Sequence, residues 1–317
     1  MSRGKIVMLN YEYDDLSLEQ EECAKQGFEF AAGHCSTDDE FLAVAGDAVG
    51  IVNVYARVTP RVAEGLKNCK VIARTGAGYD LINVEACRAN GIEVCYVPDY
   101  CVNEVADHAV GLLIAVQRKI LQHHRNILAG KWDYQLVGPV ARLNTQTLGL
   151  IGLGRIGRHV VRKIKEIIPT ILVYDPYLDS ETFAELGVQQ ADLDTIFEQA
   201  HIISLHAPLT PQTHHIISAE SLARMRKHPF IINVSRGALI DLNALIDALQ
   251  SGQVRGAGID VLESEPDVPP ALKALDNIIL TPHAAWYSQD AEHETRTRAL
   301  ADVIRVINGE PPRNPAP

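Results

Sequence analysis

The sequence lacks an excess of basic residues, a long apolar run and a leader-like N-terminus. It contains 29 lysines and arginines against 40 aspartates and glutamates, which gives a formal net charge of −11 at pH 7. A negative chain is repelled by nucleic acid and by anionic membranes, so we expect neither as a partner. The apolar stretch VGLLIAV at 110–116 is too short to span a bilayer, and MSRGKIVML has no signal-peptide architecture. We therefore expect a cytoplasmic protein.

Metal-binding motifs are also missing. No CxxC pair occurs and the histidines show no ligand spacing, so no metal is predicted. The six cysteines lie in the first third of the chain, where they read as reduced, mostly structural thiols in a cytoplasmic protein. They are Cys23, Cys35, Cys69, Cys87, Cys95 and Cys101.

A chain of 317 residues with 47% hydrophobic residues is long enough for two domains. In the first hundred residues the strand-like runs KIVML, AVGIVNV, KVIART and GIEVCYV alternate with polar helical segments. That alternation is typical of a parallel sheet covered by helices. An apolar stripe at helical spacing then predicts one long helix from about Asn103 to Ala129, with Asn103 as its cap.

A second series of strands and helices starts at TLGLIGLG and continues through ILVYD, HIISLH, FIINVS, GAGID and NIILTP. A final helix, about Gln289 to Asn308, lies beyond it. The two series predict an α/β protein of two doubly wound, Rossmann-like units, one inserted within the other.

The segment LGLIGLGRIGRHVV places Gly152, Gly154 and Gly157 in the spacing GxGxxG. An apolar strand precedes these glycines and a helical pattern follows, as a dinucleotide site requires. The first glycine permits the tight turn, the second lets the backbone approach a pyrophosphate, and the third lets helix and strand pack closely. Without this context the motif would also fit a structural turn.

The strand ILVYD ends in Asp175, where a carboxylate can accept hydrogen bonds from the adenosine ribose. Its charge would repel a 2′-phosphate. The sequence therefore predicts NAD as the cofactor, in preference to NADP.

Polar side chains follow three later strands, at the sheet edge where ligands of such folds bind. Arg236 follows IINVS, Asp260 ends AGID with Glu265 five residues beyond, and His283 follows NIILTP. An arginine can bind a carboxylate and polarise a carbonyl, while a histidine held by a carboxylate can donate a proton. Taken singly, Arg236 and Glu265 are equally typical of surface ion pairs. Together they predict carbonyl reduction, with Arg236, Glu265 and His283 as the catalytic residues.

In their order along the chain, GLIGLGRIG, YDPY, HAPLTPQT, NVSRGALID, DVLESEP and TPHAAW resemble the D-isomer-specific 2-hydroxyacid dehydrogenases. The resemblance covers nearly the whole chain. It implies an NAD-binding domain at 101–287 inserted between two parts of a substrate-binding domain, 1–100 and 288–317. It also implies a homodimer formed through the nucleotide domains, acting on a small 2-oxoacid or 2-hydroxyacid.

The resemblance carries residue roles with it. It assigns cofactor contacts, in addition to the three glycines and Asp175, to Arg155, Ile156, His206, Ala207, Pro208, Thr213, Val234, Ser235, Arg236, Asp260 and His283. It places Asp260 near the nicotinamide carboxamide, and the substrate carboxylate on the loop of Gly76, Ala77 and Gly78.

Within the family, RTGAGYD, YDPYLD, VLESEP and TPHAAWYSQDA are most similar to the C-terminal-binding proteins, the NADH-sensing corepressors. That similarity implies substrate-pocket roles for Arg74 and Trp286, and Tyr55 is a further candidate. As a core tryptophan and a surface arginine, Trp286 and Arg74 would have no such role. An aromatic wall would favour 2-oxoacids with apolar side chains over glyoxylate and phosphorylated acids. Two functions stay open: an NAD-dependent D-2-hydroxyacid dehydrogenase, and a corepressor-like NADH-sensing binding protein.

Overall fold

The computed structural model describes residues 3–317, and the chain divides into two compact units. The first unit combines Met1–Tyr100 with Ser288–Pro317, and the second is Cys101–Tyr287. Each unit contains one parallel β-sheet, which confirms the predicted α/β class. No helix within residues 3–317 has both the length and the apolar character needed to cross a bilayer.

The sheet of the first unit has five strands in the order β2-β1-β3-β4-β5, the order of flavodoxin-like folds. Apolar residues cover both of its faces. The strands are β1 (Lys5–Leu9), β2 (Glu29–Gly33), β3 (Gly50–Asn53), β4 (Val71–Arg74) and β5 (Glu93–Tyr96). The helices between them are α1 (Ser17–Lys25), α2 (Asp38–Ala45), α3 (Pro60–Gly65) and α4 (Val84–Ala89).

The second unit has seven parallel strands in the order β12-β11-β10-β9-β6-β7-β8. The chain order reverses between β6 and β9, which is the switch point of a Rossmann sheet. Its strands are β6 (Thr147–Ile151), β7 (Thr170–Tyr174), β8 (Gln189–Gln190), β9 (Ile202–Leu205), β10 (Phe230–Asn233), β11 (Gly256–Ile259) and β12 (Ile278–Leu280). Its helices are α5 (Val102–Gln117), α6 (Ile120–Leu128), α7 (Arg155–Ile164), α8 (Ser180–Leu186), α9 (Leu193–Gln199), α10 (Ala219–Ala223), α11 (Leu242–Ser251) and α12 (Pro270–Lys273).

The single long helix predicted for about 103–129 is wrong, because the structure has two helices there. The chain breaks between α5 and α6 at Lys119, whose φ of 54° lies in the left-handed region. The Lys119 ammonium donates to the carbonyl of Val137, which ties this break to the segment that follows α6. Asn103 is not the cap either. The helix starts after Cys101, and the Asn103 amide oxygen contacts the His159 ring instead.

The last helix, α13 (Gln289–Ile307), belongs to the first unit. Ser288 caps it by accepting a hydrogen bond from the amide of Ala291. The helix packs on β3, β4 and β5, and a Cβ atom on Gly50 would lie 2.5 Å from Val303 Cγ1. The glycine at the start of β3 therefore lets this helix approach the sheet closely.

A buried ion pair fastens α13 to α1. The Arg296 guanidinium donates to both carboxylate oxygens of Glu19 at 2.8 Å, and Glu19 is fully buried. The same guanidinium lies 4.3 Å from the ring centroid of Tyr13 and donates to the carbonyl of Asp15. A bidentate pair of this kind compensates the cost of burying both charges only while both partners are present.

We expect Arg296→Met to destabilise the first unit by about 3–5 kcal/mol, because it leaves the buried Glu19 carboxylate without its partner. Arg298 is the matched control. It lies on the same helix and pairs with the more exposed Asp99 and Glu294. Arg298→Met should cost less than about 1 kcal/mol. Urea unfolding followed by circular dichroism compares the two, and equal losses would contradict the role of the buried pair.

Candidate active site

The turn after β6 is built on glycines that the backbone packing demands. Gly152 has a φ of +97°, and a Cβ atom there would lie 2.7 Å from the backbone nitrogen of Ala207. A Cβ atom on Gly157 would lie 2.5 Å from the Gly152 carbonyl oxygen. Both positions therefore exclude a side chain, and they bring α7 close against the end of β6.

Gly154 differs from Gly152 and Gly157, because a Cβ atom on Gly154 would meet nothing within 4 Å. It is the N-cap of α7, and no side chain caps this helix end. The first amides of this ten-residue helix therefore receive no acceptor from a capping side chain. Such a terminus fits a pyrophosphate, which brings negative charge and hydrogen-bond acceptors.

Asp175, at the end of β7, turns its carboxylate toward the glycine-rich turn. Oδ2 accepts a hydrogen bond from the amide of Leu153 at 2.8 Å, and Oδ1 accepts one from the amide of Tyr177 at 3.1 Å. Each carboxylate oxygen has further acceptor capacity. The carboxylate is thus fixed beside the turn and can still accept from ribose hydroxyls.

His206 follows β9 and packs against Gly152. Its Nε2 lies 2.8 Å from Ser204 Oγ, while the buried Nδ1 has no hydrogen-bond partner among the described residues. Burial lowers the pKa of His206 to about 4, so the ring is neutral near pH 7. An unsatisfied buried ring nitrogen next to the glycine-rich turn is consistent with a bound group that supplies its partner.

Two other predicted cofactor positions shape the loop that follows β9. Thr213 Oγ1 donates to the carbonyl of Pro208 at 2.6 Å and accepts from the amide of Thr210 at 2.8 Å. The hydroxyl therefore closes the loop on itself. Of the other predicted cofactor positions on this side, Ala207 is buried, Ile156 half-buried and Arg155 exposed.

Arg236 follows β10 on a turn that a buried asparagine organises. The Asn233 amide donates to the carbonyl of Arg236 at 2.8 Å, and its oxygen accepts from the amide of Ser235 at 3.0 Å. Ser235 Oγ in turn donates to the carbonyl of Leu205, at the end of the neighbouring strand β9. Asn233 was not predicted from the sequence, although a polar residue at the end of the apolar run FII was a usable signal. The predicted cofactor position Val234 is buried.

His283 and Glu265 form a hydrogen-bonded pair, with Nδ1 of the imidazole 2.8 Å from Oε2 of the carboxylate. The other oxygen, Oε1, accepts from the amide of Leu262 at 2.8 Å. Burial acts to raise the pKa of Glu265, but the hydrogen bond and charge of His283, the Leu262 amide and the charge of Arg236 together hold it below its ordinary value. Glu265 is therefore a carboxylate near pH 7, and it accepts the Nδ1 proton.

The backbone of His283 has a φ of 53°, a left-handed conformation that is uncommon for residues other than glycine. Its amide donates to the carbonyl of Asp260 at 2.8 Å. The Asp260 carboxylate, which is buried, accepts from Thr281 Oγ1 and from the amides of Ala284 and Ala285 at 2.5, 2.9 and 3.0 Å. Asp260 thus holds both sides of the loop that presents His283.

A second histidine joins this network. His108 Nε2, on α5, lies 2.9 Å from Thr281 Oγ1 and 3.6 Å from Asp260 Oδ1. Neither His108 nor Thr281 was predicted from the sequence. Thr281 sits two residues before His283 and offered a local signal. His108 offered none, since it lies on the apolar stripe of a helix far away in the sequence.

The predicted substrate positions are divided between the two units. In the first unit, the Arg74 guanidinium donates to the carbonyl of Thr75 and lies 5.6 Å from the ring centroid of Tyr55. A Cβ atom on Gly76 would lie 2.4 Å from Arg74 Nη1, so the guanidinium covers this glycine. Gly76 is buried, Ala77 exposed and Gly78 half-buried. In the second unit, Trp286 makes an edge contact with Tyr287 at 5.6 Å.

The contrast between Gly152 and Gly154 can be tested directly. Gly152→Ala should destabilise the second unit by on the order of 1–3 kcal/mol from backbone strain, with a further cost from the clash. Gly154→Ala should leave the melting temperature nearly unchanged but weaken NADH binding, because the methyl group occupies the space that the pyrophosphate needs. Thermal unfolding and NADH fluorescence titration separate the two effects. Unchanged NADH affinity in Gly154→Ala would argue against the assigned phosphate site.

Comparison with known proteins agrees with this geometry. The chain is 40% identical over 276 residues to a D-3-phosphoglycerate dehydrogenase of Methanocaldococcus jannaschii, covering 86% of this chain and 52% of the relative. It is 36% identical over 286 residues to a hydroxypyruvate reductase of Thermotoga maritima, covering 89% of this chain and 92% of that one. The chain therefore spans about half the length of the phosphoglycerate dehydrogenases it matches and most of the reductase.

Among solved structures, a glyoxylate reductase from Paecilomyes thermophila superposes with a TM-score of 0.88 at 27% identity, covering 99% of this chain and 98% of that one. The family model of the D-isomer specific 2-hydroxyacid dehydrogenase NAD binding domain matches residues 110–285, which include the glycine-rich turn and the His283–Glu265 pair. The chain thus belongs to the D-isomer specific 2-hydroxyacid dehydrogenase family, and its second unit contains the NAD binding domain of that family.

Proposed function

We propose that the protein catalyses the reversible, NAD-dependent reduction of a small 2-oxoacid to a D-2-hydroxyacid. The observation that carries this proposal is the His283–Glu265 hydrogen bond of 2.8 Å, on loops at the same sheet edge as the glycine-rich turn and influenced by the charge of Arg236. Relatives named as dehydrogenases and reductases of 2-hydroxyacids support the same chemistry.

The residues divide the reaction between them. Arg236 binds the substrate carboxylate and polarises the carbonyl. Because Nδ1 of His283 bonds to the Glu265 carboxylate, Nε2 carries the proton that goes to the carbonyl oxygen. The glycine-rich turn and Asp175 would hold the NAD cofactor, which would provide the hydride for reduction and take it up in the reverse direction. Asp260 acts as a positioning residue, since it holds the loop of His283 by three hydrogen bonds.

The homodimer implied by the family also belongs to this proposal. Several apolar side chains on α6 and the segment after it are exposed in the single chain, with Trp132 at 90% and Leu128 at 75% relative exposure. Several large apolar side chains exposed within one short segment are typical of protein interfaces. The oligomeric state stays a prediction, as does a cytoplasmic location.

Turnover distinguishes the dehydrogenase from the alternative, a corepressor-like protein of the C-terminal-binding type that binds NADH without needing catalysis. The purified protein should oxidise NADH in the presence of 2-oxoacids and prefer NADH over NADPH, because Asp175 would repel a 2′-phosphate. We compare kcat/KM for glyoxylate, pyruvate, a longer aliphatic 2-oxoacid and 3-phosphohydroxypyruvate. An indole wall at Trp286 favours apolar side chains, and Trp286→Ala should reduce that preference.

Each outcome of this panel bears on a different part of the proposal. Tight NADH binding without turnover of any 2-oxoacid would favour the corepressor-like function. Comparable kcat/KM with both cofactors would contradict the role of Asp175. Glyoxylate or the phosphorylated acid as best substrate would contradict the apolar pocket and agree instead with the substrates of the named relatives.

His283→Asn tests the proton donor without disturbing the backbone, because asparagine tolerates the left-handed conformation of this position. We expect kcat for 2-oxoacid reduction to fall by about 10²–10⁴-fold while NADH affinity is retained. Glu265→Gln should cause a smaller loss, since the glutamine amide oxygen can still accept the Nδ1 hydrogen bond but no longer carries the charge that helps to orient the ring.

His228→Asn is the matched control for this prediction. His228 lies in the same unit, is exposed, and has a similar φ of 48°. It should therefore keep wild-type activity. If His283→Asn retains near wild-type turnover with hydride transfer still limiting, the assignment of the proton donor is wrong.

A further inference from the structure

Outside the catalytic residues, the fold brings two histidines and a carboxylate together on the surface of the second unit. His215 Nε2 lies 3.2 Å from Glu263 Oε2, and His214 Nε2 lies 4.0 Å from Glu263 Oε1. The two imidazoles stack with their centroids 3.9 Å apart. The three potential ligand atoms all lie within 4.8 Å of one another.

A single hydrogen bond does not explain this arrangement. His215 alone would satisfy one oxygen of Glu263, and the 4.0 Å separation of His214 from the other oxygen is too long for a hydrogen bond. Two donor nitrogens nevertheless point toward the two oxygens of one carboxylate. With zinc–ligand bonds of about 2.0–2.1 Å, neighbouring ligand atoms of a tetrahedral ion lie about 3.3 Å apart. The separation of 3.2 Å between His215 Nε2 and Glu263 Oε2 matches that spacing, and the other ligand atoms, all within 4.8 Å of one another, reach it by small side-chain movements.

The backbone holds the three residues in place before any ligand binds. His215 donates its amide to the carbonyl of Ala238, and its φ of 50° fixes an uncommon direction for its side chain. A Cβ atom on Gly237 would lie 2.1 Å from the backbone nitrogen of Glu263, so the segment of Ala238 packs directly against the loop of Glu263. Little rearrangement is therefore needed to assemble a site.

We propose that His214, His215 and Glu263 form a binding site for a divalent metal ion of the zinc class, with solvent completing the coordination. Two neutral imidazoles and one carboxylate suit Zn²⁺, Ni²⁺ and Cu²⁺ far better than Mg²⁺ or Ca²⁺, which prefer oxygen ligands alone. The proposed metal site has no residue in common with the His283–Glu265 pair. The two are nevertheless connected by one loop, because Glu263 is two residues before Glu265. The prediction of no metal site, made from ligand spacing, overlooked this cluster because Glu263 is 48 residues from His215 in sequence.

A bound ion would connect the loop after Thr213 with the loop that carries Glu265. Because the ion would bind the folded state and these ligands separate on unfolding, it should also stabilise the second unit.

The test uses metal-free full-length protein, with ZnCl₂ as the probe in equilibrium dialysis and in thermal unfolding. We expect the wild type to bind one Zn²⁺ per chain more than Glu263→Gln or His215→Asn, and Zn²⁺ to raise its melting temperature more than theirs. His215→Asn keeps a residue that tolerates the left-handed backbone, and circular dichroism confirms that both variants are folded. Zinc bound by cysteine thiols would be common to all the proteins and cancels in the comparison.

The matched control is the double variant His123→Asn, His124→Asn. These histidines are also adjacent in sequence, but they lie on α6, where neighbouring side chains point in different directions. This variant should bind as much zinc as the wild type. The same zinc stoichiometry in wild type, Glu263→Gln and His215→Asn would overturn the proposal, as would a loss of the ion in the control.

Discussion

The candidate active site depends on one buried carboxylate, that of Asp260. A buried charge is costly unless hydrogen bonds compensate it, and Asp260 receives them from Thr281, Ala284 and Ala285. These donors lie on either side of His283, so the loop can satisfy Asp260 only in the conformation that presents the imidazole. The left-handed backbone of His283 is also held by Asp260, because the His283 amide donates a hydrogen bond to the Asp260 carbonyl. The contacts that compensate the buried charge of Asp260 are therefore also the contacts that fix the position of His283.

The strand framework could be predicted from sequence because central parallel strands are buried on both faces. The apolar stretches FII of β10 and GIV of β3 are buried throughout, and both strands were predicted. The short or edge strands were missed. β2 has no fully buried residue, and β8 has only two residues, both exposed glutamines, so neither leaves an apolar run in the sequence. The break at Lys119 was missed because it depends on a long-range contact with Val137 and not on a glycine or proline.

For the site, sequence could predict the residues that carry distinctive chemistry but not those that support them. The His283–Glu265 contact matches the predicted pairing of a histidine with a carboxylate. Asn233, Thr281 and His108 act through hydrogen bonds to loops, and such side chains are common in ordinary turns and helices. Their role exists only once the strands are side by side. The substrate roles of Arg74 and Trp286 stay predictions. A substrate pocket is formed by residues that are distant in sequence, so sequence patterns alone do not define it.

The division of the first unit between the two ends of the chain has a consequence for biosynthesis. Its β3 and β4 bury apolar residues such as Val52 and Val71 against Leu300 and Val303 of α13. During translation, about 190 residues of the second unit must be made before that helix emerges. At 5–20 residues per second this takes roughly 10–40 s, during which one face of the nascent sheet has no cover. The nucleotide-binding unit can therefore fold first, and chaperone protection matters most for the half-finished unit that waits for its last helix.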